Sequence, residues 1–182
     1  MDMLVFSLDQ SGNSRINMFP DIATRIAQLL TESDATVSVA ESSTGGLISA
    51  NLLAVPGASK YFQGGSVVYT LASRRAFLDL NKERLEGLKP LTEEMVLEFA
   101  HAAREKLGTT WGIAELGAAG PAGTPYGHGP GVSVIGISGS LNRTIMVKTN
   151  SADRQSNMQL FTESALELFE STLNELVGSV RE

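Results

Sequence analysis

Apolar residues recur at helical spacing in several stretches of this chain, and short β-branched runs that end in glycines or hydroxyl residues separate them. Ile22, Ile26, Leu29 and Leu30 follow Pro20, a residue suited to a first helical turn, and predict a helix over 20–31. The run 36–40 predicts a strand that breaks into Glu41-Ser42-Ser43-Thr44-Gly45-Gly46 and then into a helix from Leu47, ending near Val55-Pro56-Gly57. Gly64-Gly65 opens a second predicted strand over 66–70, followed by a helix over 71–80. After Leu91-Thr92-Glu93-Glu94, an N-cap candidate with an acidic first turn, Val96, Phe99, Ala100, Ala103 and Leu107 line one helical face. A buried strand is expected over 111–116, then a glycine- and proline-rich loop over 117–131 that is too irregular for regular structure and long enough to suggest function. Runs 132–138 and 144–148 flank Gly139-Ser140-Leu141-Asn142 as an antiparallel hairpin, and a last helix starts near Ser151 with Leu160, Ala165, Leu168 and Leu176 facing inward.

Strands alternating with helices, plus one hairpin, imply an α/β fold: a three-layer α/β/α sandwich with a mixed, mostly parallel sheet. A length of 182 residues suits one domain. Residues 1–17, polar and irregular over 9–15, read as an N-terminal extension, and 18–182 as the domain itself.

Composition narrows the partners. Hydrophobic residues at 42% and charged residues at 19% are the balance of a soluble globular protein. The formal net charge of -6 comes without any lysine-arginine block, which argues against nucleic acid as a partner. With no cysteine, disulfides, thiolate catalysis and sulfur-ligated zinc are excluded. The apolar residues at the start lack a basic n-region, and no run is long enough to span a bilayer, so a cytoplasmic protein without a membrane partner is expected. No clustered ligand set suggests a metal, and no Walker A, G-x-G-x-x-G or G-x-S-x-G pattern suggests a nucleotide-hydrolysing, dinucleotide-binding or hydrolase-elbow motif; neither metal nor cofactor is expected.

Most of the candidate chemistry sits at the predicted strand ends. A strand running through Ser42, Ser43, Thr44, Gly45 and Gly46 into a helix is expected to leave hydroxyls and free backbone N–H groups where anions and polarised carbonyls bind. Ser42 is then a candidate nucleophile, with the N–H groups around Gly45 and Gly46 as an oxyanion site. On the residues alone, an N-cap with two packing glycines is the more ordinary reading. Gly117, Ala118, Ala119 and Gly120 follow a strand directly, so their backbone can approach a phosphate or sugar, or they simply turn the chain. Tyr69, at the end of the second predicted strand, is placed to position or protonate a substrate or else to cap the core. Arg74 and Arg154 are candidate phosphate clamps or ordinary helix-surface arginines. Glu41 and Glu115 read as strand-end carboxylates that hold loop backbone, Asp153 as support for the start of the last helix, and His101 as solvated; His128, in the glycine loop, is exposed or within reach of a ligand.

Taken in order, Val39-Ala40-Glu41-Ser42-Ser43-Thr44-Gly45-Gly46, residues 55–65, Val67-Val68-Tyr69-Thr70, Gly117-Ala118-Ala119-Gly120-Pro121 and Asp153-Arg154 resemble the CinA C-terminal domain family, over a span from about Pro20 to the C-terminal helix. The resemblance implies an α/β/α sandwich and a nicotinamide-nucleotide amidase, hydrolysing nicotinamide mononucleotide to nicotinic acid mononucleotide and ammonia. It also implies a small-molecule nucleotide as ligand and a homodimer. Ser42 then matches the family's nucleophile, Tyr69 its strand-end tyrosine, and residues 117–120 its nucleotide-binding turn, with Ser43, Thr44, Gly45, Gly46 and Arg154 in contact with substrate and Arg74 in the catalytic group. Three positions depart from that pattern: Arg74 stands where a lysine is common, Leu116 where a hydroxyl residue precedes the glycine turn, and Met158 near where a further arginine is found. An arginine is a poor general base. The resemblance therefore also admits a nucleotide-binding protein that has lost catalysis.

Overall fold

The connections on the two sides of the first strand leave in opposite directions, and this decides where a ligand can sit. The computed structural model describes residues 18–179; the extension expected over 1–17 lies outside them. The chain runs α1 (Pro20–Glu32), β1 (Val37–Glu41), α2 (Leu47–Leu53), a 3-10 turn (Ala58–Lys60), β2 (Phe62–Val67), α3 (Leu71–Leu78), α4 (Glu93–Leu107), β3 (Trp111–Ala118), β4 (Val132–Ser138), β5 (Arg143–Lys148) and α5 (Arg154–Ser179). The five strands form one sheet in the order β2-β1-β3-β4-β5. β1 pairs parallel with β2 and β3, while β4 pairs antiparallel with β3 and β5, so only β4 opposes the common direction.

Helices cover both faces, as the alternation implies. On one face Ile26, Leu30, Ile48, Leu52, Phe169 and Leu173 of α1, α2 and α5 pack over Val37, Val39, Ile113, Ile135 and Ile137. On the other, Val96, Phe99, Ala100 and Ala103 of α4 and Leu78 of α3 close over Ala40, Ala114, Leu116 and Val134. Side chains alternate across a strand, so neighbours such as Val39 and Ala40 serve opposite layers, and β1 is buried along its whole length. This is a three-layer α/β/α sandwich. β1 continues into α2 on one face and β2 into α3 on the other, which opens a crevice at their carboxyl ends.

Capping chemistry sets several boundaries. Thr70 and Ser73 form a reciprocal capping box at the start of α3, and the Thr92 hydroxyl accepts from the Met95 N–H at the start of α4. α5 begins at Arg154, later than Ser151, because the Asp153 carboxylate accepts the Ser156 N–H at 2.7 Å and caps the helix there.

Four expectations are corrected. β2 covers 62–67 and not 66–70: Gly64 and Gly65 lie inside the strand, where a side chain on Gly65 would collide with Ser49, and Tyr69 lies beyond its end. β3 continues through Gly117 and Ala118, which pair with Ser133 and Val132, so these two are strand and not loop. Leu107 is half exposed at the end of α4. Leu160 is 44% exposed because the inward stripe of α5 runs through Phe161, Ala165, Phe169 and Leu173, and Leu160 falls one residue off it.

Candidate functional site

Two buried carboxylates build the turn that follows β1. Glu41 and Glu115 are both 0% exposed. The Glu41 carboxylate accepts the N–H groups of Gly46 and Ile48 at 3.0 Å each and of Ser49 at 2.8 Å, with the Ser49 hydroxyl at 2.6 Å and the Thr44 hydroxyl at 2.8 Å. It is an internal cap for α2. Glu115, reaching across from β3, accepts the Ser42 and Thr44 N–H groups at 3.1 and 3.0 Å and the hydroxyls of Ser43 and Ser133 at 2.5 and 2.9 Å. Both strand-end glutamates therefore hold loop backbone, as their positions suggest.

This arrangement corrects the expectation of free N–H groups at the start of α2. The protein's own carboxylates take those of Ser42, Thr44, Gly46 and Ile48, so no anion of a ligand can use them, and of the two glycines only Gly45 keeps its N–H outside these bonds. Ser43 and Thr44 are buried behind the turn and turned inward. Ser42 differs: among the described residues its hydroxyl makes no hydrogen bond, and the residue lines a small cavity of about 60 Å³.

That cavity is where residues from separate segments meet. Ser42 after β1, Arg74 from α3, Leu116 and Gly117 from β3, Leu91 just before α4, Met95 in its first turn, and Tyr126 from the glycine-rich loop all line it. Leu116, standing where a hydroxyl residue is common, is 2% exposed and forms part of the apolar floor. Arg74 lies with its guanidinium carbon 5.2 Å from the centre of the Phe99 ring and donates from Nε to the Val68 carbonyl at 3.3 Å. Burial pulls the Arg74 pKa below the ordinary arginine value, and the nearby Tyr126 pushes it back up. It stays a cation and does not serve as a base at neutral pH.

Gly117 is required by the inner network. A Cβ there would press on the Ser43 hydroxyl and lie 2.6 Å from Glu115 Oε1, so any other residue would displace the contact that orients the turn. The following residues are held from α5. Asn157, 1% exposed, donates to the Ala119 carbonyl at 2.8 Å, and Arg154 donates to the Gly120 carbonyl at 2.8 Å. The Ala118 carbonyl accepts the Gly131 N–H at 2.8 Å, which closes the base of the loop.

Tyr69 and Arg154 come together at the same carboxyl rim, the guanidinium carbon 6.0 Å from the tyrosine ring centre. Tyr69 is 54% exposed and does not line the Ser42 cavity. Gly45 faces elsewhere again, with the Met158 methyl 3.2 Å from where its Cβ would be. The structure thus groups Ser42, Arg74 and Gly117 around one notch, groups Tyr69, Gly120 and Arg154 beside each other, and uses Ser43, Thr44 and Gly46 as internal supports.

Neither histidine enters the notch. His101 pairs with Glu105 at 3.1 Å on the surface of α4, and His128 meets the Thr124 hydroxyl at 3.2 Å within the loop. Tyr126 was not among the sequence candidates, although an aromatic residue in a 15-residue glycine-rich loop is a signal that could have raised it. No group of three or more histidine, aspartate or glutamate side chains among the described residues could hold a metal ion. A larger groove of about 570 Å³, between the edge of β2, α3 and the end of α4, is lined by Val67, Phe77 and Leu107 and contains none of the candidate residues. No helix of the described residues is long and apolar enough to cross a membrane.

Comparison with known proteins places the fold in a family. The family model of the CinA C-terminal domain matches residues 20–173. A CinA-like protein of Chlorobium limicola is 33% identical over 161 residues, which are 86% of this chain and 38% of that protein, and one of Parasynechococcus marenigrum is 41% identical over 118 residues, 65% of this chain and 28% of that protein. The chain thus spans about a third of the length of these curated relatives. Among solved structures, the competence/damage-inducible protein of Agrobacterium tumefaciens superposes with a TM-score of 0.78 at 27% identity, covering 87% of this chain and 99% of that one. The competence or damage-inducible protein of Enterobacter asburiae gives a TM-score of 0.79 at 25% identity, with 87% and 99% covered.

Proposed function

The chain belongs to the CinA C-terminal domain family, and from that premise we propose that it is an amidohydrolase that deamidates nicotinamide mononucleotide to nicotinic acid mononucleotide and ammonia. One observation carries this reading: the Ser42 hydroxyl, alone of the three in its turn, has no hydrogen bond among the described residues, and Ser42 lines a notch shared with Arg74. A volume of about 60 Å³ suits a carboxamide group and not a whole nucleotide, for which sites of about 300 Å³ or more are usual. The ring and ribose phosphate would then lie outside the notch, over the rim where Tyr69 and Arg154 stand, with Arg154 offering its guanidinium to the phosphate.

In the reaction the Ser42 oxygen bonds to the carboxamide carbon, the carbon–nitrogen bond breaks, and ammonia leaves carrying the proton given up by the serine hydroxyl. Water then cleaves the ester, restoring the serine hydroxyl and releasing the acid. Arg74 supplies charge to the oxygen of the tetrahedral intermediate and does not remove the proton. In this reading the enzyme works in the cytoplasm as a homodimer without a cofactor. The test is ammonia release from nicotinamide mononucleotide by the purified protein and by Ser42→Ala; release that is equal in both sinks the proposal.

Arg74 also favours a second reading, a nucleotide-binding protein without turnover, because among the described residues no lysine or histidine lines the notch to act as base. Thermal stabilisation by the nucleotide with no ammonia released would be its signature.

A further inference from the structure

Arg74 is a cation placed for a partner that the described protein does not provide. Its guanidinium rests on the Phe99 ring, and its one hydrogen bond among the described residues is from Nε to a backbone carbonyl at 3.3 Å. No carboxylate among the described residues pairs with it: Glu41 and Glu115, the two acids of the turn, point their oxygens at the α2 cap, the serine and threonine hydroxyls and the turn backbone. The two terminal guanidinium nitrogens therefore make no hydrogen bond among the described residues, and Arg74 lines the notch together with Ser42, the apolar Leu91, Met95 and Leu116, and Tyr126. A half-buried guanidinium over an aromatic ring and an apolar floor interacts strongly with an anion, because little solvent screens the pair.

We propose that this notch is a carboxylate site, and that it takes the acid form of a planar ring ligand in preference to the carboxamide. A cavity of about 60 Å³, room for about two water molecules of ~30 Å³ each, admits a three-atom trigonal group and leaves the ring outside. The flat guanidinium fork matches the two oxygens of such a group, and Ser42 adds a hydroxyl donor. Tyr126, 60% exposed at the tip of its turn, stands where the ring would emerge. That turn is tied at its base by the Thr124 N–H to the His128 carbonyl at 2.8 Å. A carboxamide offers one acceptor and two N–H donors to the same fork, and the donors have nothing to meet on Arg74. The ring identity rests on the proposed function, whereas the carboxylate preference does not. For an amidase the consequence is retention of its own product, so that the acid nucleotide restrains turnover.

Calorimetric titration of the full chain with nicotinic acid mononucleotide, nicotinamide mononucleotide, benzoate, benzamide and inorganic phosphate tests this. The acid of each pair should bind about tenfold or more tighter than its amide. Arg74→Gln should remove the preference, while Arg74→Lys, which keeps the charge but not the fork, should retain only part of it and controls for folding. Equal affinity within both pairs, tighter binding of the amides, or phosphate displacing benzoate would overturn the carboxylate assignment and leave the proposed substrate standing. If neither mononucleotide binds but benzoate does so through Arg74, the carboxylate site stands and the pyridine-nucleotide reading falls. Binding of neither the acids nor the amides ends both.

Discussion

The turn after β1 and the notch in front of it lie a few atoms apart and obey opposite rules. Inside the turn, two fully buried carboxylates collect the N–H groups of Ser42, Thr44, Gly46, Ile48 and Ser49 and four neighbouring hydroxyls, leaving little for a ligand to claim. In front of it, the Ser42 hydroxyl and the Arg74 guanidinium keep bonding capacity unused among the described residues. Satisfied polar groups hold the backbone still, and unsatisfied ones bind. Rigidity and reactivity are thus assigned to different residues within one six-residue stretch, which is why Ser42 and Ser43, adjacent and chemically alike, have different parts to play.

Separating the two regions by substitution should give effects of decreasing size. Ser42→Ala should lower ammonia release by about a thousandfold, equivalent to about 4 kcal/mol of transition-state stabilisation, while the urea-unfolding midpoint stays near wild type because no hydrogen bond is lost. A large drop in stability would place Ser42 with the inner network. Glu115→Ala should do the reverse, destabilising the fold by about 3 kcal/mol as the Ser42 and Thr44 N–H groups and two buried hydroxyls lose their acceptor; chemical denaturation of the variant checks this, and a loss below about 1 kcal/mol would mean that the carboxylate does not hold the turn.

Gly120→Ala tests the second turn. Its φ of +107° disfavours any side chain, and the new Cβ would lie 2.6 Å from the Ala152 carbonyl, so a loss of about 1–3 kcal/mol in thermal or urea unfolding is expected. Nucleotide affinity should fall with it, because Arg154 is anchored on that residue's carbonyl.

The smallest effect lies far from the site. The hydrogen bond to Arg25 holds the Glu170 carboxyl below its usual pKa, against the opposing pull of burial. Its contribution is complete above the unfolded carboxyl pKa and fades as the pH falls through the lower folded value. Glu170→Gln should therefore trim stability slightly near neutrality and change nothing once the pH is well below the carboxylate range. Melting temperatures across an acid series would show the two curves converging, and a gap that persists or widens on the acid side would contradict the pairing.

Much of this could be read from residue order. Helical spacing marked α1 and α4, β-branched runs marked β1 and β4, and Glu41 and Glu115 at strand ends were legible as holders of loop backbone. Less legible were the end of β2, where glycines that look like a break are tolerated inside an edge strand, and the last two residues of β3, where Gly117 continues a ladder because its missing side chain leaves room for Ser43, Glu115 and Ser133. Its place in a glycine-rich loop marks Tyr126 as a candidate, but whether a loop tyrosine faces a cavity or water is decided only by the fold.

The order of residues alone determined which segments become helices and strands, which turns carry hydroxyls and glycines, and that one family's motifs are present, because these depend on neighbours within a few positions. Tertiary structure decided which hydroxyl stays free, which N–H groups an internal acid consumes and what Arg74 faces. Those outcomes depend on contacts such as Ser42 with Glu115, 73 positions apart, that exist only once β1 and β3 lie side by side.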